Sequence, residues 1–274
     1  MMKTVLCSIL ACALGAGLAT LWWSFFDPED PTSAASLAWN RSAEPAARAE
    51  PAAEPVRNLV ILIGDGMGFA HLDAARALSR GPMDFLTLER FPATGWSVTH
   101  SYDNLYTDSA AGATAISTGF RTRPGAVGVG PEGERLETLF EAARDAGKAV
   151  GVLTDSAFFD ATPASFLAHR TSRRDSEGVV LDMIASGADV VLGETRESLE
   201  TSEGWAKIEA QLAEGSVEVA RSPEELEAAA RGAAGRVFGL FPEGSIASEK
   251  GAPSLTELAL WAVDRLEGRE EGFV

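Results

Sequence analysis

The run Tyr106-Thr107-Asp108-Ser109-Ala110-Ala111-Gly112-Ala113-Thr114-Ala115 brings a serine to a turn that leads directly into small, helix-compatible residues. A hydroxyl at the first turn of a helix sits among N–H groups that lack intrahelical partners, at the positive end of the helix dipole. Ser109 is therefore a candidate nucleophile that accepts a phosphoryl group. The same pattern also serves as a plain N-cap, and the stretch alone leaves both readings open.

Three further clusters carry groups of the right chemistry. Asp65 lies in Gly64-Asp65-Gly66-Met67-Gly68, directly after an apolar run, and ligands of open α/β sheets bind outside the carboxyl ends of strands. Metal ligand and turn residue are both open for it. A dinucleotide fingerprint is excluded, because its third glycine would fall at position 69, which is Phe69. In Asp160-Ala161-Thr162-Pro163-Ala164 the pattern predicts a helix start with Thr162 as N-cap and Pro163 at the first helical position. His169-Arg170-Thr171-Ser172-Arg173-Arg174-Asp175 then concentrates basic side chains. One arginine can grip a phosphate with its planar fork, or all three can pair with Asp175 and Glu177.

The elements that must position these groups alternate along the chain. A continuous apolar, β-branched run at 58–63 predicts a strand buried on both faces of a parallel sheet. A helix over 70–78 and a strand over 94–99 follow. Leu136, Leu139, Phe140 and Ala143 fall at helical spacing, with Gly147 placed to close that helix. Strands are expected at 149–153, 189–192 and 236–240, and helices at 177–186, 205–212, 223–231 and 253–266. Ser222-Pro223-Glu224-Glu225 is a capping box with proline at the first helical position. Such alternation predicts a layered α/β/α fold with a largely parallel central sheet, incomplete at its C-terminal side.

Composition sets the outer bounds. With 23 basic against 40 acidic residues the formal charge is −17, which excludes general affinity for nucleic acid or anionic lipid. An anionic substrate then needs local positive charge, such as bound divalent cations. Cys7 and Cys12 are the only cysteines, so no disulfide framework or cysteine zinc site lies beyond them, and the histidines are His71, His100 and His169. Lys3 is followed by an uncharged run over 4–26 that ends in Trp22-Trp23-Ser24-Phe25-Phe26. Residues 1–26 read as a cleaved export signal or an uncleaved membrane anchor, either of which puts the body outside the cytoplasm, in the periplasm or beyond. Residues 27–57, rich in Pro, Ala and Glu, read as a tether, and 58–274 as the catalytic domain.

Taken together and in order, Ile63-Gly64-Asp65-Gly66-Met67-Gly68, Thr107-Asp108-Ser109-Ala110-Ala111-Gly112, Ser117-Thr118-Gly119, Asp160-Ala161-Thr162-Pro163-Ala164 and His169-Arg170-Thr171-Ser172-Arg173 resemble the alkaline phosphatases. The resemblance implies a hydrolase of phosphate monoesters that uses Zn2+ and Mg2+. It assigns Asp65 to the carboxylate bridging a zinc and the magnesium, and Ser109 to the zinc-bound serine that becomes phosphorylated. Thr162 matches the magnesium-binding hydroxyl, Asp160 the carboxylate that holds magnesium-bound water, and Arg173 the phosphate clamp. His169 matches no metal ligand and reads as structural. Small phosphate monoesters are the implied substrates, and a homodimer is compatible with it.

The family's remaining zinc ligands, three histidines and further carboxylates, have no counterpart here, and its last magnesium ligand would follow Gly272-Phe273-Val274. The expectation is a chain that does not by itself hold a complete two-zinc site. A phosphodiesterase or sulfatase-like relative and a non-catalytic exported binder of phosphate or metal stay open as alternatives.

Overall fold

The computed structural model describes residues 56–79, 85–231, 235–248 and 252–274. The expected export segment at 1–26 and nearly all of the tether at 27–57 lie outside the described residues. The body, Arg57–Val274, is one compact unit. Its helices are α1 (Phe69–Ser79), α2 (Ser109–Thr118), α3 (Leu139–Asp145), α4 (Ala161–Ala164), α5 (Ser176–Ala185), α6 (Glu197–Glu200), α7 (Trp205–Glu214), α8 (Pro223–Arg231), α9 (Ser245–Ser248) and α10 (Leu255–Leu266). The strands are β1 (Gly151–Ala157), β2 (Val190–Glu194), β3 (Val217–Ala220) and β4 (Arg236–Phe241).

All strand pairs are parallel, in the order β1-β2-β4-β3. Strand side chains alternate across the pleat, and the two faces of this sheet are both covered. Val191, Phe238 and Leu240 point to one side, where they join Phe140 and Ala143 of α3, Val179 and Met183 of α5, and Ile208 and Leu212 of α7. Val190, Leu192, Val237 and Phe241 point to the other, against Leu226 of α8 and Leu258, Ala262 and Leu266 of α10. The spacing of that last trio places it on one stripe of α10, which Ser254 and Glu257 start with a capping box. The protein is thus a layered α/β/α fold on a parallel sheet.

Several local expectations need correction. The run at 58–63 forms no regular strand; Leu59 donates its N–H to Phe273 O at 2.9 Å, Asn58 Oδ1 accepts the Phe273 N–H at 3.2 Å, and Leu59 through Ile63 stay exposed. Phe273 in turn bridges Ala149 in parallel, so the segment lies at the sheet edge but has no second neighbour to make it a ladder. No strand forms at 94–99 either, and Trp96 and Val98 are exposed. The helix foreseen from Leu136 begins at Leu139 instead, because Thr138 and Glu141 close a capping box there. Short β3 and α6 had no periodicity long enough to announce them. Among the described residues no helix is long and apolar enough to cross a membrane.

Candidate active site

The site is built where β1 and the two small-residue helices meet. Ala110, Ala111 and Ala113 of α2 and Ala161 and Ala164 of α4 are buried, and without long side chains the helices approach closely. Ser165 Oγ lies 3.3 Å from Ala110 O and 3.3 Å from Thr114 Oγ1, and Ser117 Oγ donates to Ser165 O at 2.6 Å. Every buried hydroxyl in this seam has a partner, so the helix pair is fixed in register. The alanine-rich sequence after Ser109 is therefore a packing surface, and it sets Ser109 beside Thr162.

Asp65 spans that pair. Ser109 Oγ donates to Asp65 Oδ1 at 3.0 Å and Thr162 Oγ1 donates to Asp65 Oδ2 at 2.6 Å. The turn that delivers Asp65 needs Gly66, whose φ is 67°, a left-handed conformation that side chains with Cβ disfavour. Five expected site residues converge here, because Asp160 and Arg173 join from the other side. Arg173 Nη2 donates to Asp160 Oδ1 at 2.6 Å and its Nη1 to Asp108 Oδ2 at 3.3 Å.

Two caps differ from the sequence reading. The N-cap of α2 is Asp108, whose Oδ1 accepts Ala111 N–H at 3.0 Å, so Ser109 is the first helical residue and its hydroxyl is free of capping duty. The N-cap of α4 is Asp160, which accepts Ala161 N–H at 2.7 Å, and Thr162 lies inside the helix. Asp108 was missed as a site residue. Its Oδ2 also accepts Gly125 N–H at 3.1 Å, so one carboxylate caps the serine helix, holds the Gly125 loop and orients the arginine. An acidic residue just before a helix-starting serine is the available signal, but it announces only the cap.

The electrostatics favour an anion grip. Burial opposes the Asp160 charge, yet the Ala161 amide, the Arg173 guanidinium and the field of Arg196 outweigh it and hold the carboxyl below its usual range. Burial likewise works against the Arg173 charge, and Asp160 and Asp108 more than restore it. Arg173 stays cationic and only half-buried, with its fork held by two carboxylates.

The donor set separates the two expected metals. Asp65, Thr162 and Asp160 offer hard oxygen ligands, which suit magnesium with waters completing its shell. Zinc prefers histidine or cysteine. Each histidine is engaged elsewhere: His71 Nδ1 accepts Gly68 N–H, His100 Nδ1 lies against Ser101 O, and His169 lies between Gly128 and Glu141. Among the described residues no group of three His, Cys, Asp or Glu converges. The side chains gathered here are oxygen donors of the kind magnesium takes.

A parallel sheet between helical layers, with polar groups gathered beyond the end of β1, defines an α/β protein of the doubly covered kind whose ligands bind at strand ends. Residues 56–274 match the alkaline phosphatase family model, and the chain belongs to the alkaline phosphatase family. Alkaline phosphatase 4 of Bacillus subtilis is 30% identical over 234 residues, which is 80% of this chain and 50% of that one. Streptomycin-6-phosphate phosphatase of Streptomyces griseus is 43% identical over 145 residues, covering 51% and 32% of the two chains. The alkaline phosphatase of the Antarctic bacterium TAB5 superposes with a TM-score of 0.69 at 25% identity, over 79% of this chain and 63% of that one. A variant of that enzyme was solved with magnesium bound. The chain spans about half the length of the first of these curated relatives.

Proposed function

We propose that this chain carries the nucleophile and phosphate-gripping side of a phosphoric monoester hydrolase that works through a phosphoserine at Ser109. The supporting observation is the double bridge of Asp65, one oxygen to the Ser109 hydroxyl and the other to Thr162, opposite the Arg173 fork. Ser109 Oγ attacks phosphorus as its proton moves to Asp65 Oδ1; the bond to the leaving oxygen breaks, and the alkoxide takes up that proton and departs as the alcohol. Arg173 neutralises the non-bridging oxygens, and the unpaired amides at the start of α2 add their partial positive charge. Asp65, Thr162 and, through water, Asp160 would hold magnesium, which would supply positive charge to the phosphoryl oxygens. Water then attacks the phosphoserine, freeing phosphate and restoring Ser109. Small phosphate monoesters are the substrates this reading assigns, and the uncharged run after Lys3 assigns the protein to export.

A second reading is favoured by the three histidines making their contacts away from the site: phosphate binding without turnover. The experiment that separates them incubates the chain with 4-nitrophenyl phosphate, magnesium and zinc, quenches in acid and maps phosphopeptides by mass spectrometry. Phosphate on Ser109, lost in Ser109→Ala, is the expected result. Phosphate elsewhere, or labelling that persists in the alanine variant, overturns the nucleophile assignment. Phosphate binding by calorimetry with no labelling supports the second reading.

A further inference from the structure

His169 does not touch Asp65, Ser109 or the groups around them, yet its ring is held more closely than a filler residue needs. Its Nδ1 lies 2.6 Å from Gly128 O and its Nε2 lies 3.2 Å from Glu141 Oε1, with the side chain 13% exposed. A carbonyl oxygen only accepts, and so does an ionised carboxylate. Glu141 is ionised: burial opposes its charge, but the Thr138 amide, His169 and Arg135 hold its carboxyl below the usual range. Both ring nitrogens therefore face acceptors. A neutral imidazole has one N–H and can satisfy one of them; the imidazolium satisfies both.

The backbone is shaped for this contact. Gly128 has a φ of 61°, and a Cβ there would sit 2.1 Å from Ala168 O and 3.0 Å from His169 Nδ1. Gly128 O also accepts Leu136 N–H at 3.2 Å, and Gly128 N–H donates to Thr114 Oγ1 at 3.0 Å, on the serine helix. From His169 onward two arms run together. Arg170 and Val127 exchange N–H···O bonds of 2.8 Å, and Arg173 N–H donates to Gly125 O at 2.7 Å. The charged groups around the ring are Glu141 of α3, Arg135 of the facing loop, Asp182 of α5, and Arg170 on its own arm. Asp182 binds the His169 N–H at 3.1 Å and both Nε and Nη2 of Arg170. His169 thus pins one end of a short ladder whose other end carries Arg173.

We propose that His169 is a positioning residue: as a doubly donating imidazolium it ties the Arg173 arm both to Gly128 O of the facing arm and to Glu141 of α3, and on losing its proton it releases one of those two ties. The consequence for phosphate rests on the role given above to Arg173; the lock itself does not. Phosphate takes no part in either tie, so the lock acts in the free protein.

The test uses the full chain and its three histidines. Side-chain 15N NMR is followed from pH 5.5 to 8.5, with His169 assigned by its loss in His169→Gln. At the acid end His169 should show protons on both nitrogens. As one is lost, the amide signals of Arg170, Arg173, Val127 and Gly125 should shift with the same midpoint, and the protection of the Arg173 amide, taken relative to the intrinsic base-catalysed exchange rate at each pH, should fall about tenfold as one tie goes. A ring with a single proton at pH 5.5, or a His169 titration that leaves the arm amides unmoved, overturns the proposal. Should H169Q fail to fold, the His71→Gln, His100→Gln double variant leaves His169 as the sole imidazole, and the same outcomes decide. Inorganic phosphate is titrated separately against the Arg173 Nε signal. No response there sinks the phosphate role of Arg173 while the lock stands on the pH data.

Discussion

Two stretches of this chain both open on branched aliphatic residues suited to a strand, and their fates are opposite. Val190-Val191-Leu192-Gly193-Glu194 is buried at every position, whereas Leu59-Val60-Ile61-Leu62-Ile63 is exposed throughout, with Leu62 81% open to solvent. The first has β1 on one side, β4 on the other and helices above and below. The second has a single backbone tie to Phe273. A strand is thus a relation between segments before it is a property of one, since its N–H and C=O groups and both its faces need partners. The consequence reaches the site. Asp65 follows the open stretch and is held from the covered side, by the hydroxyls of Ser109 and Thr162.

The comparison breaks most sharply on core truncation. Phe238, fully buried on β4, packs among the helices of one sheet face, and Phe238→Ala should cost about 3–5 kcal/mol in urea unfolding. A loss under about 1 kcal/mol would mean that the covered half is as loosely packed as the open one.

Next in size is Asp108→Ala, at the seam between the two regions. It removes the α2 cap, the Gly125 tie and one of the two carboxylates on Arg173. Caps of this kind are worth about 1–2 kcal/mol, and the unfolding midpoint should fall accordingly. Asp108→Asn should recover most of the cap while leaving Arg173 with Asp160 alone. Equal losses in both variants would show that the charge, and not the cap, dominates.

What the amino-acid sequence disclosed follows the same division. The alternation of strands and helices over the covered half was legible, because apolar periodicity and capping boxes such as Ser254–Glu257 are local codes. So was the grouping of Asp65, Ser109, Asp160, Thr162 and Arg173, through motif order. The roles of Asp108 and His169 were not. Each depends on atoms far along the chain, Gly125 and Arg173 for one, Gly128 and Glu141 for the other, and no periodicity encodes such a meeting. The strand expected at 58–63 failed for a third reason: the run satisfies β-propensity, but propensity reports fitness for a half-buried surface and not the presence of that surface.

Acid sharpens the contrast further. Glu141 caps α3 in the covered half, and its folded carboxyl lies below the usual range although burial opposes the charge. Its contribution is complete above the ordinary carboxylate value of about 4.3 and is lost as pH falls through the lower folded value. Stability should therefore decline on acidification below about pH 4, with a shallower slope in Glu141→Gln, which keeps the capping geometry and lacks the titration. Parallel slopes in guanidinium titrations at stepped pH would remove Glu141 from the account.

The smallest effect on stability is expected from the open side. Leu62→Ser changes a residue that covers nothing, so the unfolding midpoint should move by less than about 0.5 kcal/mol. Its effect should appear instead on the surface. Leu62, Trp96 at 85% exposure and Leu105 at 92% are large apolar groups left to solvent, and exposed apolar surface promotes association. Sedimentation velocity over a range of concentrations should show self-association of the unaltered chain, weakened in Leu62→Ser and further in the Leu62→Ser, Trp96→Ser pair. A large fall in midpoint from Leu62→Ser would mean that this run is packed in solution after all, and the contrast with Val190–Glu194 would then disappear.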